Sequence, residues 1–549
     1  MATIEIDKRE FTDLVGEDFS NQKLMDEASF LGVHWHEIDG NVCEVENYPN
    51  RPDCLSVEGI ARAYRGFFDL ECGREQYSLN EGDIEVFVDD SVEEVRPVLG
   101  GCVVRDLNLS EKVINGLIQL QEKLHHTMGR QRDKIAIGLH DLSSLEPPFT
   151  YKAVGGNEVE FQPLNHNESM SLDQILEEHE KGQEYGWILE NEEAFPVIVD
   201  DKDQVLSFPP IINNKLTEVD SDTTDLFVDV TGKDRQAVMS ALNIVVTALA
   251  EREGRVESVT VDGERLPDLS PSSMELDPDY FRDVSGVDLE ASEIVDRLEM
   301  MKYGAEKADG CIEVEVPCYR SDVMHQYDLI EDVLIAHRYR NVVPKVPELD
   351  QVGRQSDIQD TAQVVRDIFT GSGATESMTY VHISEDDLTE RMNLDKDDYV
   401  RLENPLSEDF GSLRNMVVPS LLDVLSQNRQ HSYPQSFFEV GDSVELDDSS
   451  TGASNVKKVA FVKSGQSVDF TDARRSLKTL ERDLGIDLEI KSSERPFFKN
   501  SRSADVYVKE QRIGFVGEFS DKVRDSWQLD NSVSSFEINL EKVQSALDK

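Results

Sequence analysis

The chain opens on a two-residue alternation, Thr3-Ile4-Glu5-Ile6-Asp7, which predicts a strand. A helical segment follows near 21–31, then a strand at Val42-Cys43-Glu44-Val45-Glu46 and a rigid turn at Pro49-Asn50-Arg51-Pro52-Asp53. Ser56 is a fitting N-cap for a helix carrying Val57, Ile60, Ala61 and Tyr64 on one face. Further on, strands are predicted at 103–107, 135–139, 205–208, 226–230 and 256–261. A helix at 113–127 aligns Leu117, Leu120 and Leu124, and an apolar helix at 237–250 sits between the last two strands. Prolines 267, 271 and 278 in front and 344 and 347 behind set off a helical module with a small wing. It has helices near 292–301 and 326–337 and a strand at 312–316. The last stretch mixes helices at 359–370 and 419–429 with strands at 437–440, 459–462, 513–519 and 535–539. The pattern predicts an α+β multidomain chain divided at 1–85, 86–265, 266–350 and 351–549.

Composition changes the picture chiefly through charge. The 549 residues carry 55 Lys and Arg against 111 Asp and Glu, a formal net charge of −56. The acidic residues are spread along the chain, so they form a surface rather than a tail. Such a surface repels itself in dilute salt. Molar salt shortens the Debye length to about 3 Å and relieves it. A salt-adapted cytoplasmic protein is the simplest expectation, and a generically acidic one the alternative. The charge excludes indiscriminate nucleic-acid binding, so any RNA contact has to be local. Six cysteines show no C-x-x-C and no zinc spacing, so free thiols are expected. The start has no apolar signal region, and the apolar run at 237–250 is shorter than the ~20 residues of a membrane span.

Asp322 precedes a predicted helix on which Asp328, Glu331 and Asp332 stand at i, i+3 and i+4, sharing one face. Like charges at that spacing destabilise a bare helix, and a hard divalent cation reverses the sign. A solvated acidic face is the plain alternative in a chain this acidic.

The surrounding motif is long. Val316-Pro317-Cys318-Tyr319-Arg320-Ser321-Asp322 runs on through Asp328-Leu329-Ile330-Glu331-Asp332-Val333 to Tyr339 and Val343-Pro344. It resembles the B5 domain of phenylalanine–tRNA ligase β subunits. The resemblance extends over the whole chain. Asn50-Arg51-Pro52-Asp53-Cys54-Leu55-Ser56 matches the family's N-terminal motif. Leu120-Gln121-Glu122-Lys123-Leu124-His125, Ala136-Ile137-Gly138-Leu139-His140-Asp141 and Leu206-Ser207-Phe208-Pro209-Pro210 resemble its B3/B4 region. An inserted oligonucleotide-binding fold and a C-terminal anticodon-binding domain have no counterpart, as in the shorter archaeal form. The resemblance implies a B1-like domain, a B3/B4-type editing domain, a winged B5 domain and a degenerate class II synthetase-like antiparallel sheet domain, in the order of the divisions above. With the charge, it points to the archaeal type from a halophile.

The resemblance further implies an α2β2 complex with the α subunit that charges tRNA(Phe) using ATP, and a Mg2+ site shared with α at Asp322, Asp328, Glu331 and Asp332. It implies no membrane partner. On the B3/B4 region it implies hydrolysis of tyrosine mischarged to the tRNA. A second sieve is useful there, because a hydrophobic pocket rejects one added hydroxyl by only about 10²-fold. Ser207, Asn213, Asp229 and Thr231 are the candidate pocket residues. Their ordinary roles in strand ends and helix caps stay open. The basic stretch from Lys123 to Lys134, with Arg130 and Arg132, is a candidate phosphate contact, or else pairs with nearby acids.

A class II active site needs an Arg on the ATP phosphate. Here Phe437 stands two residues before Glu439, and the late Gly514-Phe515-Val516-Gly517-Glu518 lacks a terminal Arg. Adenylation is therefore expected on α. Two other readings also fit the sequence. One is a non-catalytic tRNA-binding scaffold without active editing. The other is an unrelated metal-dependent hydrolase built on the acidic helix.

Overall fold

In the computed structural model, residues 2–39, 41–395 and 398–547 are described. The chain folds as two compact units, Met1–Val346 and Pro347–Lys549.

In the first unit, strand Val42–Asn47 lies between Ala2–Asp7 and Val33–Asp39 in a three-stranded antiparallel sheet. Helix Val57–Phe67 follows, capped as expected by Ser56, whose Oγ accepts the Gly59 N–H. Next comes a large sheet ordered Ile212–Asn213, Val205–Phe208, Phe195–Val199, Phe149–Val154, Glu85–Val88, Arg255–Val261, Val98–Arg105, Leu226–Gly232, Ile135–Asp141. It is antiparallel except where Glu85–Val88 joins its two neighbours. Strand Leu226–Gly232 is buried at every residue. Helix Arg235–Ala250 packs on this sheet through Val238, Ala241, Leu242 and Val245. Its all-round apolar character reflects that burial.

The winged module has the small sheet Ser272–Leu276, Ile312–Val316 and Gly304–Lys307, with helices Pro278–Ser285, Ala291–Met300 and Gln326–His337. It has no core of its own. Leu276, Leu298, Tyr303 and Val333 belong to one apolar cluster with Ile4, Phe11, Trp35 and Tyr64. The N-terminal sheet and the winged module therefore stabilise one another across more than 200 residues of sequence, at a size where a separate core is marginal (about 60 residues).

The second unit is a seven-stranded sheet ordered Thr375–Glu376, Gln435–Leu446, Ala453–Gly465, Ser532–Asn539, Gln511–Phe519, Phe498–Val508, Leu488–Ser492. Only its first pair is parallel. Along Ala453–Gly465 the side chains alternate between two cores. Val459 and Phe461 meet the cluster that includes Phe369 and Leu477, and Ala460 and Val462 meet the one that includes Leu421 and Trp527. All six cysteines are free. No helix among the described residues is long and apolar enough to cross a membrane.

Candidate functional site

Ser207, Asn213, Asp229 and Thr231 all line one cavity of about 360 Å³ in the first unit. Asp229 and Thr231 are two apart on strand Leu226–Gly232 and so share a face. Opposite them in register stand Gly138 and Ala136, whose small side chains leave room above the sheet. A Cβ at Gly138 would lie 2.2 Å from Asp229 Oδ1 and 2.7 Å from His140 Nε2. The buried His140 holds Asp229 Oδ1 at 2.7 Å through Nε2, and Thr217 Oγ1 at 2.8 Å through Nδ1. Ser207 pairs with Asn213 across two strands. Asn213 Nδ2 donates to the Leu139 carbonyl at 3.3 Å. Ser207 is 2% exposed, and its hydroxyl has no hydrogen-bond partner among the described residues. The helix after Asp229 and Thr231 is capped by Asp234, so neither serves as its cap.

The same cavity is lined by Gln121, Glu122, His125 and Arg132, which sequence reasoning did not single out as pocket residues. Gln121 Nε2 donates to the Ile137 carbonyl at 2.6 Å. His125 Nε2 accepts the Ile137 N–H at 2.8 Å, which leaves its proton on Nδ1, 3.3 Å from Glu122 Oε1. Burial pushes His125 down to about 4, so this neutral imidazole orients the carboxylate. Burial opposes ionisation of Glu122, but His125 and the Arg132 guanidinium outweigh it and hold it at about 2. Arg132 Nη2 meets Glu122 Oε1 at 2.7 Å, and its Nη1 donates to the Pro210 and Ile211 carbonyls at 3.3 and 3.0 Å. The signal was present in outline. Ile118, Gln121, Glu122 and His125 follow a helical spacing beside the apolar stripe, with polar residues where an amphipathic helix meets a polar recess.

Arg132 thus turns inward from the basic stretch, and Lys134 pairs with Asp234 at 3.2 Å. Lys123 and Arg130 make no ion pair among the described residues.

The four acidic residues line a second cavity, of about 560 Å³, together with Asn50 and Arg51. Asp328, Glu331 and Asp332 lie on helix Gln326–His337, and Asp322 in the turn before it. Arg320 grips Asp322 through Nε and Nη2 at 2.9 and 2.7 Å and reaches Asp332 through Nη2 at 2.7 Å. The Tyr303 hydroxyl also donates to Asp332. Asp328 Oδ2 accepts the Met324 and His325 N–H groups and caps the helix. Burial, then the charges of Asp332, Asp328 and Asp322, push the Glu331 carboxyl up. Four carboxylates against one gripping guanidinium leave surplus negative charge, and hard oxygen donors suit Mg2+. In chemistry the set fits such an ion. In placement it does not close round one: among the described residues no group of three His, Cys, Asp or Glu side chains is set to hold a metal.

In the second unit, Glu439 is 3% exposed and bound by Arg414 Nη2 and Thr379 Oγ1, each at 2.6 Å. Arg414 also donates to the Asp442 carbonyl, Thr379 and Ser420. A guanidinium with Nε, Nη1 and Nη2 all engaged inside the fold is not presented to a phosphate.

Comparison with known proteins agrees with this architecture. The chain matches the family models of the B3/4 domain over residues 105–250, the tRNA synthetase B5 domain over 274–339 and the phenylalanyl tRNA synthetase beta chain CLM domain over 343–540. It is 40% identical to the phenylalanine–tRNA ligase beta subunit of Methanosarcina acetivorans, over 98% of both chains. It is 38% identical to that of Pyrococcus abyssi, over 98% of this chain and 99% of the other. A crystal structure of an N-terminal fragment of the phenylalanyl-tRNA synthetase β subunit from Pyrococcus horikoshii is 38% identical with a TM-score of 0.59, covering 61% of this chain and 99% of that one. End-to-end identity at this level, with all three domain models in order, means that the chain belongs to the family of archaeal phenylalanine–tRNA ligase β subunits.

Proposed function

We propose that this chain joins an α subunit in an α2β2 phenylalanine–tRNA ligase, leaves amino-acid activation to α, and removes tyrosine from mischarged tRNA(Phe) in the cavity around Asp229. The complex makes phenylalanyl-tRNA from phenylalanine, ATP and tRNA. The domains at 1–85, 86–265, 266–350 and 351–549 serve as scaffold, editing domain, metal-bearing module and α-facing sheet. Exposed Met378 and Tyr380 on the second unit, 95% and 76% accessible, support an apolar partner surface there.

The observation that carries the editing reading is the unpartnered buried hydroxyl of Ser207 in the cavity that the His140-held Asp229 carboxylate also lines. Leaving a buried polar group unpaired costs about 1–3 kcal/mol. A ligand hydroxyl entering the cavity would satisfy it. Ile114, Leu117 and Ile211 line the cavity and offer apolar surface to a tyrosine ring, whose phenol would meet polar groups that phenylalanine would leave unpaired. Water then adds to the ester carbonyl, the bond to the ribose oxygen breaks, and that oxygen takes up a proton. Asp229, held by His140, is placed to hold or accept a proton from that water.

Deacylation of tyrosyl-tRNA(Phe) by the complex tests this. Asp229→Ala is expected to lower the rate about 10²–10³-fold while phenylalanine charging persists. An unchanged rate favours the scaffold reading without editing.

Asp322, Asp328, Glu331 and Asp332 are the residues that would hold Mg2+ with the α subunit. Bound there, the ion would neutralise the surplus carboxylate charge. Arg320 already engages two of the four, which supports a site completed only in the assembled complex. The charge of −56 supports a salt-rich, cytoplasmic setting for the protein.

A further inference from the structure

Six arginines are buried among the described residues, and five face a carboxylate. Arg51 meets Asp53, Arg62 meets Asp53 and Glu251, Arg132 meets Glu122, Arg320 meets Asp322 and Asp332, and Arg414 meets Glu439. Arg96 is the exception. It is 1% exposed and has no acidic partner among the described residues. Burial lowers its pKa to about 10, so it stays charged at neutral pH. Burying a charge without an ion-pair partner is costly, offset here only by hydrogen-bond acceptors and the charges of Asp133 and Asp229, and it calls for a role.

Its bonds show where that role lies. Nε donates to Thr231 Oγ1 and Nη2 to the Thr231 carbonyl, both at 2.9 Å. Nη2 also reaches the Arg132 carbonyl at 3.1 Å, and Nη1 the Asp133 carbonyl at 3.0 Å. These carbonyls end a turn in which Arg130, Gln131 and Arg132 have φ of 48°, 59° and 69°. Three consecutive non-glycine residues in the left-handed region are unfavourable unless something holds them. This turn sends the Arg132 side chain into the cavity, to Glu122 and to the Pro210 and Ile211 carbonyls. Thr231 Oγ1, already accepting from Arg96, makes no other hydrogen bond among the described residues, so its own proton is available to what enters the cavity.

We propose that Arg96 is a positioning residue of the hydrolytic site. From behind the cavity wall it orients the Thr231 hydroxyl and clamps the left-handed turn that delivers Arg132. The inference rests on the editing reading above. The planar fork is what matters: four acceptors in fixed directions suit a guanidinium, and a lysine ammonium keeps the charge without the geometry.

The test uses the αβ complex with Arg96→Lys and Arg96→Met. Deacylation of tyrosyl-tRNA is expected to lose about 10²-fold in kcat with KM within about threefold, and phenylalanine charging to stay unchanged. In a crystal structure of the Arg96→Lys complex, the 130–132 turn is expected to leave the left-handed region and Arg132 to withdraw from Pro210 and Ile211. If Arg96→Met fails to fold, Arg96→Lys keeps the buried charge and carries both readouts. A rise in KM with kcat preserved, full activity of Arg96→Lys, or an unmoved turn overturns the inference even though the wild type edits. A wild-type complex that does not deacylate at all, with the turn relaxing in Arg96→Lys, sinks the editing reading instead and leaves Arg96 only as the clamp of the turn.

Discussion

Gly138 decides how close two strands bring their chemistry. It faces Asp229 in register, and its missing side chain is where the Asp229–His140 pair sits. Gly138→Ala is expected to displace that pair, because a methyl would lie 2.2 Å from Asp229 Oδ1. Overpacking of this kind costs about 1–3 kcal/mol. Editing should fall at least tenfold while phenylalanine charging is kept. Deacylation assays and melting curves on the same complex separate the two effects, and unchanged deacylation would remove Asp229 from the chemistry. At this scale the sequence was informative in part. Ser207, Asn213, Asp229 and Thr231 sit in or beside the strands predicted at 205–208 and 226–230, and one cavity gathers them. Arg96 was invisible, because its meaning comes from Thr231, 135 residues away. His140 and Arg132 became legible only when the fold turned them inward.

Local periodicity was most reliable for elements whose partners lie on one side. The predicted strand 312–316 and helix 326–337 have the observed bounds, Ile312–Val316 and Gln326–His337. Strands Phe149–Val154 and Phe195–Val199 were missed. Phe195–Val199 is buried at every residue and carries Pro196, so it shows no alternation. The shared core of residues 4–67 and 276–336 was also hidden, since no window of sequence contains both halves. The acidic helix poses the sharper question at this scale. Its carboxylates are partly satisfied by Arg320, Tyr303 and backbone amides, and Glu331 is the one held against its like-charged neighbours. Neutralising Asp322, Asp328, Glu331 and Asp332 together to their amides is expected to lower magnesium-dependent assembly with α at least tenfold. Sedimentation of the mixed subunits with and without chelator measures it. Assembly indifferent to both changes would mean that the helix is a solvated acidic face.

Across the whole molecule, charge and division of labour dominate. At −56, self-repulsion should make the melting temperature climb as KCl rises from 0.1 to 2 M, because screening shortens from about 10 Å to under 3 Å. A flat or falling curve would leave the acidity without a salt-related role. The synthetase-like sheet is present, with Arg414 engaged by Glu439, Thr379 and Ser420 inside it, and Phe437 stands two residues before Glu439. The most direct measurement of this account is phenylalanine-dependent ATP–pyrophosphate exchange by the purified chain in high salt, before and after adding the α subunit. No exchange by the chain alone and robust exchange once α is present is the expected result. Sustained exchange by the chain alone would contradict it.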